Sequence, residues 1–307
     1  MHMPAESCLQ RGLLELSFSV DKVEDMSQAT KERHFHAHCG SSPAVLAHVW
    51  NDLCATDVAA ARIPHDKRNA SGFKMHLVAC FHMWNKPRNA LVLASRFRIA
   101  ESRAQGEALW QWINRIAALK AVKITWDEAL DDPNNEFFTI SLDGVDFKTR
   151  EEKHETLPVN PQMKSHKMNH AAWKCEIAAA AFRERIVFAS GPEQAATHDL
   201  TMFRNNGLKE KMLELPGKMI AADAGCQTSA NDEKCMFATP NQCDPDVLCN
   251  FKSRVRLRQE TLNGRMKDFA ILKHGFELGK DKHAACFHAV LVTQQHKMDH
   301  GSFLHQP

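Results

Sequence analysis

No tyrosine occurs in this chain of 307 residues, although phenylalanine is present 17 times and histidine 18 times. Excess charge is also lacking: Lys and Arg outnumber Asp and Glu by only 39 to 37, a formal net charge of +2. So small a surplus excludes nucleic-acid binding argued from bulk charge, and any basic surface must come from local clustering. Long apolar runs are missing too. The longest, Ile177 to Phe182, is far short of the roughly 20 residues that span a bilayer, so a soluble protein without a membrane partner is expected. No charged, then apolar, then cleavable segment opens the chain, and its ten cysteines read as reduced intracellular thiols and not as a disulfide framework.

What remains is the composition of a folded protein, 44% hydrophobic and 25% charged. The length favours two cores over one. Residues 1–40 show weak periodicity and are expected to form a weakly ordered leader. From Gly72 the pattern turns helical, with Phe73, Met75, His76, Leu77, Val78 and Phe81 on one side. A short helix follows with Leu91, Leu93, Ala94 and Phe97, then a turn at Arg98 to Glu101. A long helix from Ser102 to Lys120 carries Leu109, Trp112, Ile113, Ile116 and Leu119 at three- and four-residue spacing. That order fits a helix-turn-helix module, and also an ordinary helical bundle. Residues 41–132 are therefore expected to be a helical DNA-binding domain.

Asp131-Asp132-Pro133-Asn134-Asn135 is rich in turn formers and marks the expected boundary to a second domain, residues 133–307. There the periodicity shortens to strands at 137–147, 173–178, 185–190 and 217–222. A helix over 199–213 separates the last two, a second opens at Asp244-Pro245 and runs to Phe269, and a third covers 280–298. Strand, hairpin, helix, strand, helix is the order of a ribonuclease-H-like α/β fold.

Three acids fall where such a fold places metal ligands: Asp143 in the first strand, Asp223 directly after the fourth, and Glu260 on the late helix. Converging carboxylates are what two-metal phosphodiester cleavage requires, and oxygen ligands suit magnesium. Each acid also has a plainer reading. Asp143 and Asp223 resemble turn-forming aspartates, Glu260 stands four residues from Arg256 as in a surface ion pair, and Asp199 resembles a helix-start residue.

The runs Asp143-Gly144-Val145-Asp146-Phe147, Ser190-Gly191-Pro192 with His198-Asp199, Asp223-Ala224-Gly225, and Arg256 to Lys267 with Glu260, Asn263 and Gly264 together carry a resemblance. Residues 136–301 resemble the catalytic domain of the Harbinger-type DDE superfamily endonucleases, eukaryotic transposases related to bacterial IS5-type enzymes. The resemblance implies a nuclear DNA endonuclease that uses two Mg2+ or Mn2+ ions. Asp143, Asp223 and Glu260 would be catalytic metal ligands, with Asp199 a fourth. It also implies a helix-turn-helix over residues 72–126, and a homodimer or an accessory DNA-binding protein as partner. Two other readings are a catalytically inactive DNA- or protein-binding descendant of such an enzyme, and a nuclease acting on RNA.

Charge placement adds to this. Arg254, Arg256, Arg258, Arg265 and Lys267 crowd the helix of Glu260, while Lys148, Arg150, Lys153, Lys164, His166, Lys167 and Lys174 cluster between the first two strands. Lys148, Arg150, Lys167, Arg254, Arg256, Arg258, Arg265 and Lys267 are the expected DNA contacts. Cys226 stands where the family pattern has tyrosine, which fits a diverged or decayed copy. His34, His36 and His38 alternate as on a strand and, with Cys39, suggest zinc or nickel, but no CxxC partner is near. Cys226, Cys235, Cys243 and Cys249 are spaced too irregularly for a standard zinc site.

Overall fold

In the computed structural model, residues 2–56, 70–86, 90–97, 107–127, 137–150, 160–241 and 243–304 are described, with backbone only at 70–76, 90, 91, 107, 108 and 232. They divide into two units. The first takes residues 1–120, 266–273 and 285–301; the second takes 121–265, 274–284 and 302–307. Two late stretches of chain thus join the first unit, which a boundary drawn once along the sequence does not anticipate. The turn-rich segment 131–135 lies outside the described residues.

The first unit is helical. Its helices are α1 (Ala5–Glu15), α2 (Val20–Asp25), α3 (Gln28–Cys39), α4 (Pro43–Thr56), α5 (Ala70–Asn85), α6 (Ala90–Phe97) and α7 (Glu107–Ala118), followed by the single turn α8 (Lys120–Lys123). The expectation of a weakly ordered leader is corrected here, because α1 and α3 bury Leu9, Leu13, Phe35 and Cys39. Ser19 and Ser27 cap α2 and α3 by accepting from the backbone N–H groups of Lys22 and Thr30. His34 and His38 lie on helix α3 and not on a strand, one turn apart, and both rings meet Phe18 at centroid distances of 5.3 and 5.9 Å. That arrangement is aromatic packing and not a metal cage. Leu109, Trp112, Ile113 and Ile116 are buried as their spacing predicts. The turn at 98–101, on which a helix-turn-helix depends, lies outside the described residues.

The second unit is a mixed α/β layer. Its strands are β1 (Phe138–Lys148), β2 (Lys164–Ser165), β3 (His170–Ala180), β4 (Ile186–Gln194), β5 (Met219–Ala222) and β6 (Phe237–Ala238). They form one sheet in the order β2-β3-β1-β5-β6, with β4 also paired to β3. The first hairpins are antiparallel, whereas β5 and β6 run parallel to β1. Between β4 and β5 the chain crosses through α9 (Asp199–Asn205) and α10 (Leu208–Leu213), where a single helix was expected; the two are separated at Gly207. This mixed sheet is consistent with a ribonuclease-H-like domain. Ser190-Gly191-Pro192 lies within β4. Lys174 pairs with Glu193 while Glu176 pairs with Ser190, so β4 carries one extra residue there as a bulge, with a cis Gly191–Pro192 bond.

The core on one side of the sheet joins Ile140, Leu142, Ala178, Ala180 and Ile220 to Leu200, Phe203, Leu208 and Met212 from α9 and α10. Helix α11 (Asn231–Lys234) lies between β5 and β6, and after β6 come α12 (Asp246–Met266), α13 (Ala270–Lys273) and α14 (Lys280–Asp299). Helix α12 meets the sheet through Gln259, whose Nε2 donates to Ile177 O at 3.1 Å while its Oε1 accepts from Ser141 Oγ at 2.7 Å. One expected DNA contact is corrected by this helix. Arg258 is fully buried; its guanidinium pairs with Glu184 Oε1 at 2.9 Å and donates to Arg183 O. A guanidinium so committed is part of the interior and does not face a phosphate.

Removing one partner of a buried ion pair leaves the other charge uncompensated, so Glu184→Ala is expected to lower unfolding free energy by about 3–5 kcal/mol. Arg256→Ala, at an exposed i,i+4 pair with Glu260, is expected to change it by under about 0.5 kcal/mol. Urea titrations check both, and equal small effects would show that Arg258 is not truly enclosed.

Candidate metal centre

Parallel pairing of β1 with β5 sets Leu142 beside Ala222, so the next residues, Asp143 and Asp223, emerge at the same level on neighbouring strands. Asp223 also makes the turn that its Asp-x-Gly context predicts, its Oδ1 accepting from Gly225 N at 2.9 Å. Asp199 arrives from the crossover. It is the first residue of α9 but not its cap, a role taken by His198, whose Nδ1 accepts from Leu200 N. Two glycines make the approach possible. A Cβ on Gly144 would lie 2.5 Å from Asp199 Oδ1, and one on Gly225 would lie 3.0 Å from Asp223 Oδ1 and 3.4 Å from Asp199 Oδ2. A side chain at Gly144 would force Asp199 aside, and one at Gly225 would crowd Asp223.

Cations and amides hold these acids. Lys174 Nζ reaches Asp199 Oδ1 at 3.2 Å and Thr197 O at 2.8 Å. Asn263, on the sheet-facing side of α12, donates to Asp143 Oδ2 at 2.7 Å. Behind them Glu233 of α11 takes both Arg204 of α9 and Lys209 of α10, which ties the crossover helices to the loop after Asp223. The Arg204 hydrogen bonds, aided by Lys209, hold the Glu233 carboxyl down at about 2.

Burial and crowding shape the electrostatics. Burial pushes the Asp143 carboxyl up to about 6; Lys167 opposes this, while Asp223 and Asp199 add to it by like-charge repulsion. Lys167 is raised even though burial works against its charge, because Asp143, Asp199, Asp146 and Asp223 all attract it. Its ammonium group thus adds positive charge to that of Lys174, which pairs directly with Asp199.

Glu260 is not brought to this cluster. Its side chain is 62% exposed, with Arg256 Nη2 at 3.8 Å, and the charges that act on Asp143 are those of Lys167, Asp223 and Asp199. The phase of α12 instead points Gln259 and Asn263 at the sheet. Of the expected DNA contacts, Arg150, Lys167, Arg254 and Arg256 are exposed, and Lys148, Arg265 and Lys267 half-buried. Arg265 donates to the backbone carbonyl of Phe303 at 2.6 Å. The residues that sequence reasoning missed are Asn263 and Lys174 as positioning groups.

Among the described residues, no three His, Cys, Asp or Glu side chains already stand together as a metal cage. The donor chemistry nonetheless fits a hard divalent ion: three carboxylates whose mutual repulsion a cation would relieve.

Residues 142–293 match the family model for DDE superfamily endonuclease. The match supports membership of that superfamily. It runs from the middle of β1 through most of α14 and includes all three clustered aspartates, and with it comes support for a nuclease or transposase activity. No curated protein and no solved structure matches the chain. Among the described residues no helix is long and apolar enough to cross a membrane.

The raised carboxyl of Asp143 fixes a sign. Its folded-state value of about 6 lies above the ordinary 3.8, so the folded protein holds this proton more tightly and loses stability as pH rises between the two. In chelator-treated protein, Asp143→Asn is expected to melt about 3 °C or more above the wild type at pH above 6. That gain should vanish below pH 3.8. Calorimetry across pH checks it, and a constant offset at all pH values would contradict the assigned cause.

Proposed function

We propose that this chain is a divalent-cation-dependent DNA endonuclease of the Harbinger-type transposase kind, acting in the nucleus, with Asp143, Asp199 and Asp223 holding the cations. The observation that carries the reading is that Asp143 and Asp223 each directly follow the parallel pair Leu142 and Ala222, with Asp199 folded against the glycines beside them. It lies within the segment that matches the endonuclease family.

Two Mg2+ or Mn2+ ions, when bound, supply the Lewis acidity that activates a water or a DNA 3′-hydroxyl and offsets charge on the phosphate. The chain's own groups do the rest. Asn263 fixes one oxygen of Asp143, and Lys174 fixes one oxygen of Asp199, so each carboxylate has a second oxygen to present. The exposed Lys167, Arg150, Arg254 and Arg256, with Lys148, are assigned to the DNA backbone on either side of the scissile bond, since phosphate contacts position a duplex without reading its sequence. Arg258 is left out of that set for the reason given above. The helical region 72–126 is assigned to DNA binding, with a second copy of the chain or an accessory protein as partner.

Purified protein with Mg2+ or Mn2+ and end-labelled duplex DNA is expected to nick the DNA, and Asp143→Asn and Asp223→Asn to lose about 100-fold or more of that rate. The folded state of both variants is checked by circular dichroism. Cleavage that persists undiminished in both, or its absence from wild-type protein with either ion, would defeat the proposal; preference for an RNA duplex would redirect it.

A further inference from the structure

A second recess opens at the sheet edge that carries Asp223. Strands β5 and β6 are parallel, with Ile220 beside Phe237 and Ala221 beside Ala238, so the chain leaves both at one end. Asp223 follows β5 there, and Pro240 and Asn241 follow β6. Carboxyl ends of parallel strands are where ligands gather in sheets of this kind. Together with Cys249, Ser253 and Arg256 of α12, Pro240 and Asn241 line a cavity of about 400 Å³.

The frame of the recess is fixed and its charge is open. Lys252 is 7% exposed, and its Nζ donates to Thr239 O at 2.8 Å and to Asp244 Oδ2 at 2.7 Å. Thr239 and Asp244 are thereby tied to α12, and the charge of Asp244 is offset. Asn241 Oδ1 accepts from Cys243 N at 3.1 Å, which leaves its Nδ2 to donate elsewhere. Arg256 Nη2 stands 3.8 Å from Glu260 Oε1, beyond hydrogen-bond distance, and both side chains are largely in solvent. A guanidinium, a hydroxyl and an amide lining one recess suit a phosphodiester and the sugar or base attached to it.

The recess is also joined to the aspartates by one stripe of α12. Cys249, Ser253, Arg256, Glu260 and Asn263 recur at intervals of four, three, four and three. Arg256 therefore lies two turns, about 10.5 Å, from Asn263, whose Nδ2 donates to Asp143 Oδ2 at 2.7 Å. Successive phosphates of one strand rise about 3.4 Å along a duplex, so this interval corresponds to about three nucleotides.

We propose that the recess is a DNA-strand subsite, in which Arg256 and Ser253 take a backbone phosphate about three nucleotides from the scissile one and Asn241 takes the attached sugar or base edge. The inference rests on reading Asp143, Asp199 and Asp223 as the cleavage centre. It adds the direction in which the strand leaves that centre, along α12 and past the end of β6.

Cys249 is exposed and lines the recess, so its thiol reports occupancy without any substitution. Cys235, also exposed, precedes β6, at the opposite end of that strand from Pro240, and serves as the internal reference. The full chain is mixed with duplex DNA and Ca2+, alkylated with iodoacetamide, and followed peptide by peptide by mass spectrometry. With DNA at about ten times its dissociation constant, alkylation of Cys249 is expected to slow about 10-fold, and that of Cys235 to change by less than about twofold. Arg256→Ala, at an exposed position, is expected to fold normally and to lower the slope of log affinity against log salt by about 1. DNA that binds yet leaves Cys249 as reactive as before, or an unchanged salt slope in Arg256→Ala, would overturn the subsite and leave the aspartates' role standing. No DNA binding by wild-type protein would overturn both.

Discussion

Two strands that run side by side in the same direction bring like charges together here. Because Leu142 pairs with Ala222 in parallel register, Asp143 and Asp223 have no freedom to separate along the sheet, and the crossover between β4 and β5 delivers Asp199 to the same corner. Burial first, and this crowding after it, disfavour the charged form of Asp143 and raise its carboxyl in the absence of a cation. The surrounding structure is arranged to tolerate it. Gly144 and Gly225 leave space for oxygen atoms, Lys174 and Asn263 each engage one of them, and Lys167 supplies positive charge from the surface side.

Helix α12 has two jobs that its sequence does not separate. Arg258 and Gln259 anchor it by committing polar groups to Glu184, Arg183, Ser141 and Ile177, and Asn263 extends the same face to Asp143. An anchor made of buried charge and amide fixes rotation as much as it stabilises, since each group must find its partner or remain unsatisfied in the interior. That rotation decides which of several charged residues meets the sheet and which meets water. Glu260 and Arg256 fall on the outer side.

Much of the second unit was legible in advance. β1, β3, β4 and β5 follow from short apolar runs, and Asp143 and Asp223 are at strand ends or within strands where the resemblance puts them. β2 and β6 are two residues each, too short to give a period. Helical phase was the main thing hidden: Glu260, Arg258 and Asn263 lie within six positions of one another, and only tertiary packing tells the buried from the exposed. His34, His36 and His38 misled because every second position fits a strand, while the pair His34 and His38 equally fits one face of a helix, which Phe18 then covers. The first forty residues lacked a clean apolar stripe, yet their few large side chains, Leu9, Leu13 and Phe35, are enough to bury α1 and α3.

Anomalous diffraction from crystals grown with Mn2+ addresses the central claim most directly, because it locates the ion independently of activity. The account predicts a strong peak bounded by the carboxylates of Asp143, Asp199 and Asp223. Saturating Mn2+ with no peak there, or with peaks at other acidic surfaces alone, would contradict it.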